Sequence, residues 1–382
     1  MRHRDRIVPG KELLDTVWAG ESVTAAVLTT TLRTLRRAIG ETGRQQRLIS
    51  TVHGRGYQFV APTAVRPRES APTAVAPTGS VPTAVADAPA GPGVADTAAS
   101  DVIRFCRTAD GARIAWAATG TGPILVKAAN WLSRIDIEGT TPIFAHWREA
   151  LIRDRRVIRY DSRGCGLSEP TATFAVDEWV DDLDAVAGAA GLDRFPLLGV
   201  CHGGAQAVAY AAHRPERVSR LVLNAAVVQG RLARARDDAE RAAAALDMQV
   251  DLAGWHGQER SYLRFFGAQF FAGSPPQWWD DLTDYRQRTA SAASGARQLE
   301  LHSVVDVLGL AHRVSCPTLI LHSRDDPRVP VSQAEELADR IPHSRLVVLD
   351  GSNHLLTADE PAWPAFLAEL HAFLAEEEPG RG

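Results

Sequence analysis

The chain has 382 residues, 45% hydrophobic and 23% charged, a usage that excludes wholesale disorder and leaves room for two or three domains. Its net charge of −4 excludes a molecule that coats nucleic acid or an acidic membrane over its whole surface, but the charge is uneven. Residues 1–60 carry +5, residues 61–100 carry −1 and the remainder −8, a basic head on an acidic body.

Only Lys11 and Lys127 are lysines among the 42 basic residues, so the abundance of arginine reads as coding bias rather than as a functional signal. The four cysteines, at 106, 165, 201 and 316, form no CxxC pair. No zinc cluster or dithiol motif is encoded, and neither a metal nor a cofactor is expected. The charged N-terminus has no apolar run behind it and nowhere do 18 apolar residues follow one another. No membrane partner is expected, and the expected location is the cytoplasm.

In chain order, Lys11–Trp18 reads as a short amphipathic helix and residues 24–39 as a second one. Ser22 or Thr24 is a fitting N-cap and Gly40 a fitting C-cap. Val27, Leu28, Leu32, Leu35 and Ile39 form its apolar stripe, while Thr29, Thr30, Arg33, Arg36 and Arg37 fall on the other faces. Leu48–Val52 and Tyr57–Val60 flank His53-Gly54-Arg55-Gly56, a hairpin with a glycine turn. Residues 61–100 lack aromatics, Leu, Ile and Met and repeat a P-T-A-V motif. Such a stretch cannot bury a core and is expected to be a semi-stiff, polyproline-like linker.

The body alternates strand and helix signals. Apolar β-rich runs at Pro123–Val126, Arg156–Tyr160, Phe195–Val200, Arg220–Leu223, Thr318–His322 and Arg345–Leu349 are separated by helical patterns such as Val176–Gly191 and Ala205–Ala212. Alternating units of this kind predict a mostly parallel sheet covered by helices on both faces. Residues 228–305 break the rhythm with helical, aromatic-rich sequence and are expected to form a cap. Most of its aromatics are expected in the cap's own core, with two or three lining an apolar acyl pocket.

Two constellations carry chemistry. Phe195–Val200 runs into Gly199-Val200-Cys201-His202-Gly203-Gly204, the spacing of a nucleophile elbow with Cys where Ser is usual. Small neighbours are required there because the nucleophile sits in a strained strand-to-helix turn, and the helix that follows aims backbone N–H groups at the site. Downstream, Asp325-Asp326-Pro327 follows one strand signal and Asp350-Gly351-Ser352-Asn353-His354 the next. The order nucleophile, acid, His suits nucleophilic acyl chemistry.

The run VPGKELLDTVW, a Thr/Arg helix ending LRRAIG and RLISTVHGRGYQFV together resemble the winged-helix output domain of response regulators and their one-component relatives. The resemblance implies that Thr29, Thr30, Arg33, Arg36 and Arg37 face DNA and that Arg55 sits on the wing, with arginine suited to phosphate or guanine and threonine to phosphate or base edges. Such domains begin with a sheet and a first helix that residues 1–6 leave no room for. Residues 1–60 are therefore expected to be a partial winged helix, left by a late start site or surviving as a remnant.

Residues 101–380, with YDSRGCGLS at 160–168, resemble an α/β-hydrolase with its cap at about 228–305. That resemblance implies Cys201 as nucleophile, Asp326 as acid, since it precedes a P-x-V-P stretch, and His354 as base. It implies an oxyanion hole built from the backbone N–H groups of His202 and Trp131. The small-molecule partner is then an ester, thioester or lactone, cleaved or transferred through an acyl-thioenzyme. The body also looks like hydrolases fused behind winged-helix domains in bacterial regulators, which implies the other reading, a DNA-binding regulator whose hydrolase-like body senses a small molecule.

Overall fold

The computed structural model describes residues 6–17, 28, 29, 32, 46, 49–52, 54–60, 101–171, 175–257 and 260–376, and the chain divides into two compact units, 1–100 and 101–382. The expected caps Ser22, Thr24 and Gly40, the expected DNA-facing Thr30, Arg33, Arg36 and Arg37, and the linker lie outside the described residues.

In the first unit, helix α1 (Gly10–Val17) precedes strands β1 (Ile49–Val52) and β2 (Gly56–Phe59), which pair antiparallel. The upstream segment joins them through a bridge between Val8 and Tyr57, with Val8 N–H donating to Tyr57 O at 2.8 Å and Tyr57 N–H returning to Val8 O at 3.0 Å. A Cβ on Gly56 would meet Val8 O at 2.1 Å, so this approach of two backbones requires glycine. Leu28 is helical and buried, Thr29 beside it is helical and exposed, and Arg55 is exposed in the hairpin turn.

The second unit is built on an eight-stranded sheet in the order β10-β9-β8-β7-β5-β6-β4-β3. The strands are β3 (Arg104–Arg107), β4 (Arg113–Thr119), β5 (Ile124–Lys127), β6 (Arg156–Tyr160), β7 (Phe195–Val200), β8 (Val218–Asn224), β9 (Thr318–Ser323) and β10 (Ser344–Leu349). From β5 to β10 neighbouring strands are parallel, whereas β3–β4 and β4–β6 are antiparallel. The antiparallel edge is an addition to the six strand signals read above.

Side-chain alternation along the parallel strands feeds two cores. Val126, Ile158, Leu197, Leu221 and Ile320 point to one face and Leu125, Val157, Leu198, Val222 and Leu319 to the other. The first face is covered by α3 (Val176–Ala189), α4 (Gly203–His213) and α9 (Val331–Arg340), the second by α2 (Ala145–Ile152) and α10 (Ala362–Ala375). Between β8 and β9 lie four helices, α5 (Asp238–Gly257), α6 (Arg260–Phe270), α7 (Gln277–Thr289) and α8 (Ala292–Val304). Their apolar faces, with Trp255, Phe266, Phe270, Leu282 and Tyr285, join the second core directly.

Candidate active site

The site forms where parallel strands end. β7 finishes at Val200, and Cys201 takes φ +54° before α4 begins at Gly203. A residue with a Cβ in this left-handed region stores backbone strain, and the surroundings hold it in place. Cys201 N–H donates to Asn224 O at 3.0 Å, and Cys201 O accepts from Val227 N–H at 2.9 Å and Gly204 N–H at 3.0 Å. The neighbouring glycines are a packing requirement. A Cβ on Gly199 would lie 2.8 Å from Ala207 Cβ, and one on Gly204 would lie 2.4 Å from Ala226 Cβ.

Asp326 follows β9 and His354 follows β10. His354 Nδ1 and Asp326 Oδ2 are 2.7 Å apart, and both side chains are buried. The other carboxylate oxygen, Oδ1, accepts the amides of Arg328 at 2.8 Å and Val329 at 3.0 Å, which fixes its rotamer. Asp325 is exposed. Burial pulls the His354 imidazole toward its neutral form, but Asp326 and Cys201 outweigh it and the pKa is pushed up to about 10. Burial likewise raises Asp326, and the two histidines His354 and His322 turn that into a net lowering.

Cys201 is fully buried, and its Sγ lies 3.1 Å from His202 Nδ1. The His202 ring is held neutral, well below its ordinary pKa, by burial first and by His302 and Arg328 next. Sγ is thus hydrogen-bonded to His202, whereas His354 Nε2, on the far side of the ring from Asp326, has no hydrogen-bond partner among the described residues. The amides of Gly204 and Ala205 are bonded to Cys201 O and His202 O at 3.0 and 3.1 Å, the first turn of the helix that follows the nucleophile. The Trp131 amide is in place on the facing loop but engaged: it donates to Asn130 Oδ1 at 2.9 Å. In this state it is not free to meet an oxyanion.

The other cysteines are structural in their contacts. Cys165 donates to Trp131 O at 3.2 Å and receives Gln298 Nε2–H at 2.7 Å. It thereby ties the 160–168 loop to the Trp131 loop and to α8. Burial pushes the thiols of Cys106 and Cys316 up to about 11 and that of Cys165 up to about 12.

Two small cavities open beside the elbow, with Phe266 in the wall of both. One, of about 20 Å³, is lined by His202, His302, Arg231, Arg234 and Arg328. The other, of about 10 Å³, is lined by Asn130, Trp131, Phe270, Tyr285 and Arg286. Each has room for about one water, so the site is closed and the inserted helices must move to admit a substrate. Aromatics line the second cavity, but the first is a charged chamber with no counterpart in the expected apolar pocket. Arg286 is fully buried over Phe266, 3.9 Å from the ring centre, and pairs with Asp251 at 2.6 Å. Arg328 and Arg231 share Asp247 at 2.8 and 2.7 Å. The sequence reading passed over these arginines because arginine was discounted as compositional. The available signal was Arg328, two residues from Asp326.

Known proteins resemble both parts of the chain. Residues 137–361 match the alpha/beta hydrolase fold family, and residues 1–59 match the family of transcriptional regulatory proteins, C-terminal domain. The body is 28% identical over 247 residues to a 2-hydroxy-6-oxo-2,4-heptadienoate hydrolase of Pseudomonas putida, covering 62% of this chain and 85% of that protein. It is 29% identical over 245 residues to a pyrrolizixenacetamide deacetylase of Xenorhabdus hominickii, covering 62% and 86%. Among solved structures, an esterase from Exiguobacterium antarcticum matches with a TM-score of 0.61 at 23% identity, over 71% of this chain and 99% of that one. No helix among the described residues is long and apolar enough to cross a membrane, and no cluster of potential metal ligands occurs among them.

Proposed function

This chain belongs to the alpha/beta hydrolase family, joined to an N-terminal region of the transcriptional-regulator C-terminal family, and on that premise we propose that it cleaves an ester, thioester or lactone through Cys201, His354 and Asp326. The observation that carries this reading is the strained Cys201 turn together with the buried Asp326–His354 pair, 2.7 Å apart, whose Nε2 is left without a hydrogen-bond partner among the described residues.

Sγ bonds to the substrate carbonyl carbon as the thiolate, its proton already held on His354 Nε2. The carbonyl oxygen gathers negative charge and is met by the His202 amide, joined by the Trp131 amide once Asn130 turns away. Collapse breaks the bond to the leaving group, which takes the proton back from His354 and leaves an acyl-thioenzyme. Water then attacks, giving a proton to the now neutral His354, and the acid departs as the C–S bond breaks, restoring the thiolate beside the protonated His354. An amine or alcohol in place of water makes the reaction an acyl transfer. No metal or cofactor enters this scheme, and the compartment that suits a reduced Cys201 is the cytoplasm.

The test is Cys201→Ala against a short 4-nitrophenyl ester. Turnover should vanish, and mass spectrometry of wild type quenched during turnover should find the acyl group on the Cys201 peptide. A variant that keeps the wild-type rate removes Cys201 from the mechanism.

The match of residues 1–59 favours a second reading, in which the same body senses a small molecule and the head binds DNA through Thr29, Thr30, Arg33, Arg36, Arg37 and Arg55. It needs differential affinity of a ligand for two states rather than turnover. A gel shift of the full chain on its own upstream DNA at low salt, where phosphate contacts are strongest, decides it. Absence of a shift there rejects it.

A further inference from the structure

Beside the elbow, Arg231, Arg234 and Arg328 line one cavity with Asp247 and Asp251, and Arg286, in the wall of the second cavity, reaches Asp251. The pairing is uneven. Asp251 is taken by Arg286, and Asp247 is shared by Arg231 and Arg328. Arg234 has no carboxylate within ion-pair distance among the described residues, and its printed hydrogen bond runs to the backbone oxygen of Arg328 at 2.6 Å. The next carboxylate outward, Glu240, is held by Arg236. Asp326 is occupied by His354. Arg286 also keeps two buried N–H groups, Nε and Nη1, without a hydrogen-bond partner. The four guanidiniums thus outnumber the two carboxylates by two, Arg286 and Arg328 being buried and Arg231 and Arg234 half-buried.

Arg231 and Arg234 also line an outer groove of about 450 Å³ together with Pro327, Pro330 and Gln333. The same two arginines therefore stand in the wall of the surface groove and in the wall of the inner chamber that His202 lines. We propose that the substrate of this site carries a carboxylate, and that Arg234, backed by Arg231 and Arg328, binds it on the way from the groove to Cys201. This rests on the hydrolase reading above and names its substrate class. A carboxylate supplies the charge the chamber lacks, and a guanidinium with unspent donors can hold it bidentately. The arginines are positioned to bind and orient, and take no part in the bond-breaking steps. Burial, Arg328 and Arg231 all lower the pKa of Arg234, to about 10, as expected of a cation crowded by like charges and awaiting an anion.

Two measurements test this separately from the catalytic reading. The first is calorimetric binding to the Cys201→Ala protein of the monoamides of succinic to adipic acid, against neutral alkanamides of equal length. At least one monoamide should bind, its neutral partner should not, and Arg234→Gln should abolish the difference while Arg234→Lys restores part of it. Binding of neither series, or equal binding of both, overturns the proposal whatever the enzyme does. The second is turnover of 4-nitrophenyl hydrogen adipate against 4-nitrophenyl hexanoate. Arg234→Gln should lower kcat/KM for the hemiester roughly 10- to 100-fold more than for the neutral ester, through KM, the worth of one charged hydrogen bond. An equal loss on both esters would mean that Arg234 serves only the thiol's electrostatics, and also overturns it. Failure of wild type to turn over either ester, with anion binding intact, sinks the hydrolase reading alone.

Discussion

The backbone of Phe270 holds His354: the His354 amide donates to Phe270 O at 2.9 Å, and the Phe270 ring meets the imidazole edge-on with centroids 5.0 Å apart. Phe270 is the last residue of α6, so an inserted helix that closes over the site also clamps the base. Phe270→Ala keeps the backbone bond and removes the ring from a site with 2% exposure. The expected cost is about 3–5 kcal/mol of stability, read by urea denaturation. Activity measured where the variant is still folded should fall as well. Unchanged activity in the folded variant would uncouple the clamp from the base.

The raised His354 pKa has a sign that can be checked. Its folded value, about 10, lies above the ordinary 6.5, so its protonated form stabilises the fold. That contribution is full below pH 6.5 and is lost as pH rises through about 10. Asp326 is shifted the other way, so its contribution is full above the ordinary carboxylate pKa and is lost as pH falls through its lowered one. The stability gap between wild type and His354→Gln should therefore narrow steadily from pH 6.5 to 10. A gap that stays constant over this range would mean that the folded pKa is not raised.

The parallel strands and the elbow were legible because each rests on a local rule. Apolar runs such as Phe195–Val200 mark strands covered on both faces, and the small residues around Cys201 mark a turn that only they fit. The β3–β4 hairpin was not read, although Asp110-Gly111 between them is a turn signal. Its outer strand is short and mostly exposed, so it lacks the apolar run that identified the others. The charged chamber is a different kind of omission. Arg234, Asp247, Arg286 and Arg328 are scattered over nearly a hundred residues and meet only when the inserted helices fold onto the sheet. Nor does any spacing rule say that Asn130 engages the Trp131 amide.

That engagement gives a kinetic expectation. If the Trp131 amide must be released before it can serve the oxyanion, Asn130→Ala removes its competitor. Removing one oxyanion donor costs about 10²–10³ in kcat, so freeing one should raise kcat, with KM little changed because the gain lies in the transition state. A fall in kcat would instead show that the Asn130 side chain holds the loop in its working shape. Circular dichroism of the variant separates that outcome from simple unfolding.

The last expectation concerns the thiols and how the site opens. Burial pushes Cys106, Cys165 and Cys316 up to about 11, 12 and 11, so at neutral pH they are protonated and slow to alkylate. Cys201 is buried too, but its neighbour His202 lines a cavity walled in part by helices of the insertion. Opening of those helices exposes Cys201, while Cys165 stays bonded to Trp131 O and Cys316 stays buried in the core on the other face of the sheet. Brief treatment with iodoacetamide followed by mass spectrometry should therefore find label on Cys201 first, with activity lost in step. Low concentrations of urea should speed that labelling before the global transition, as local opening costs less free energy than unfolding. If all four cysteines label together, and only through the unfolding transition, then the insertion does not open on its own and the closed chamber is not an entry route.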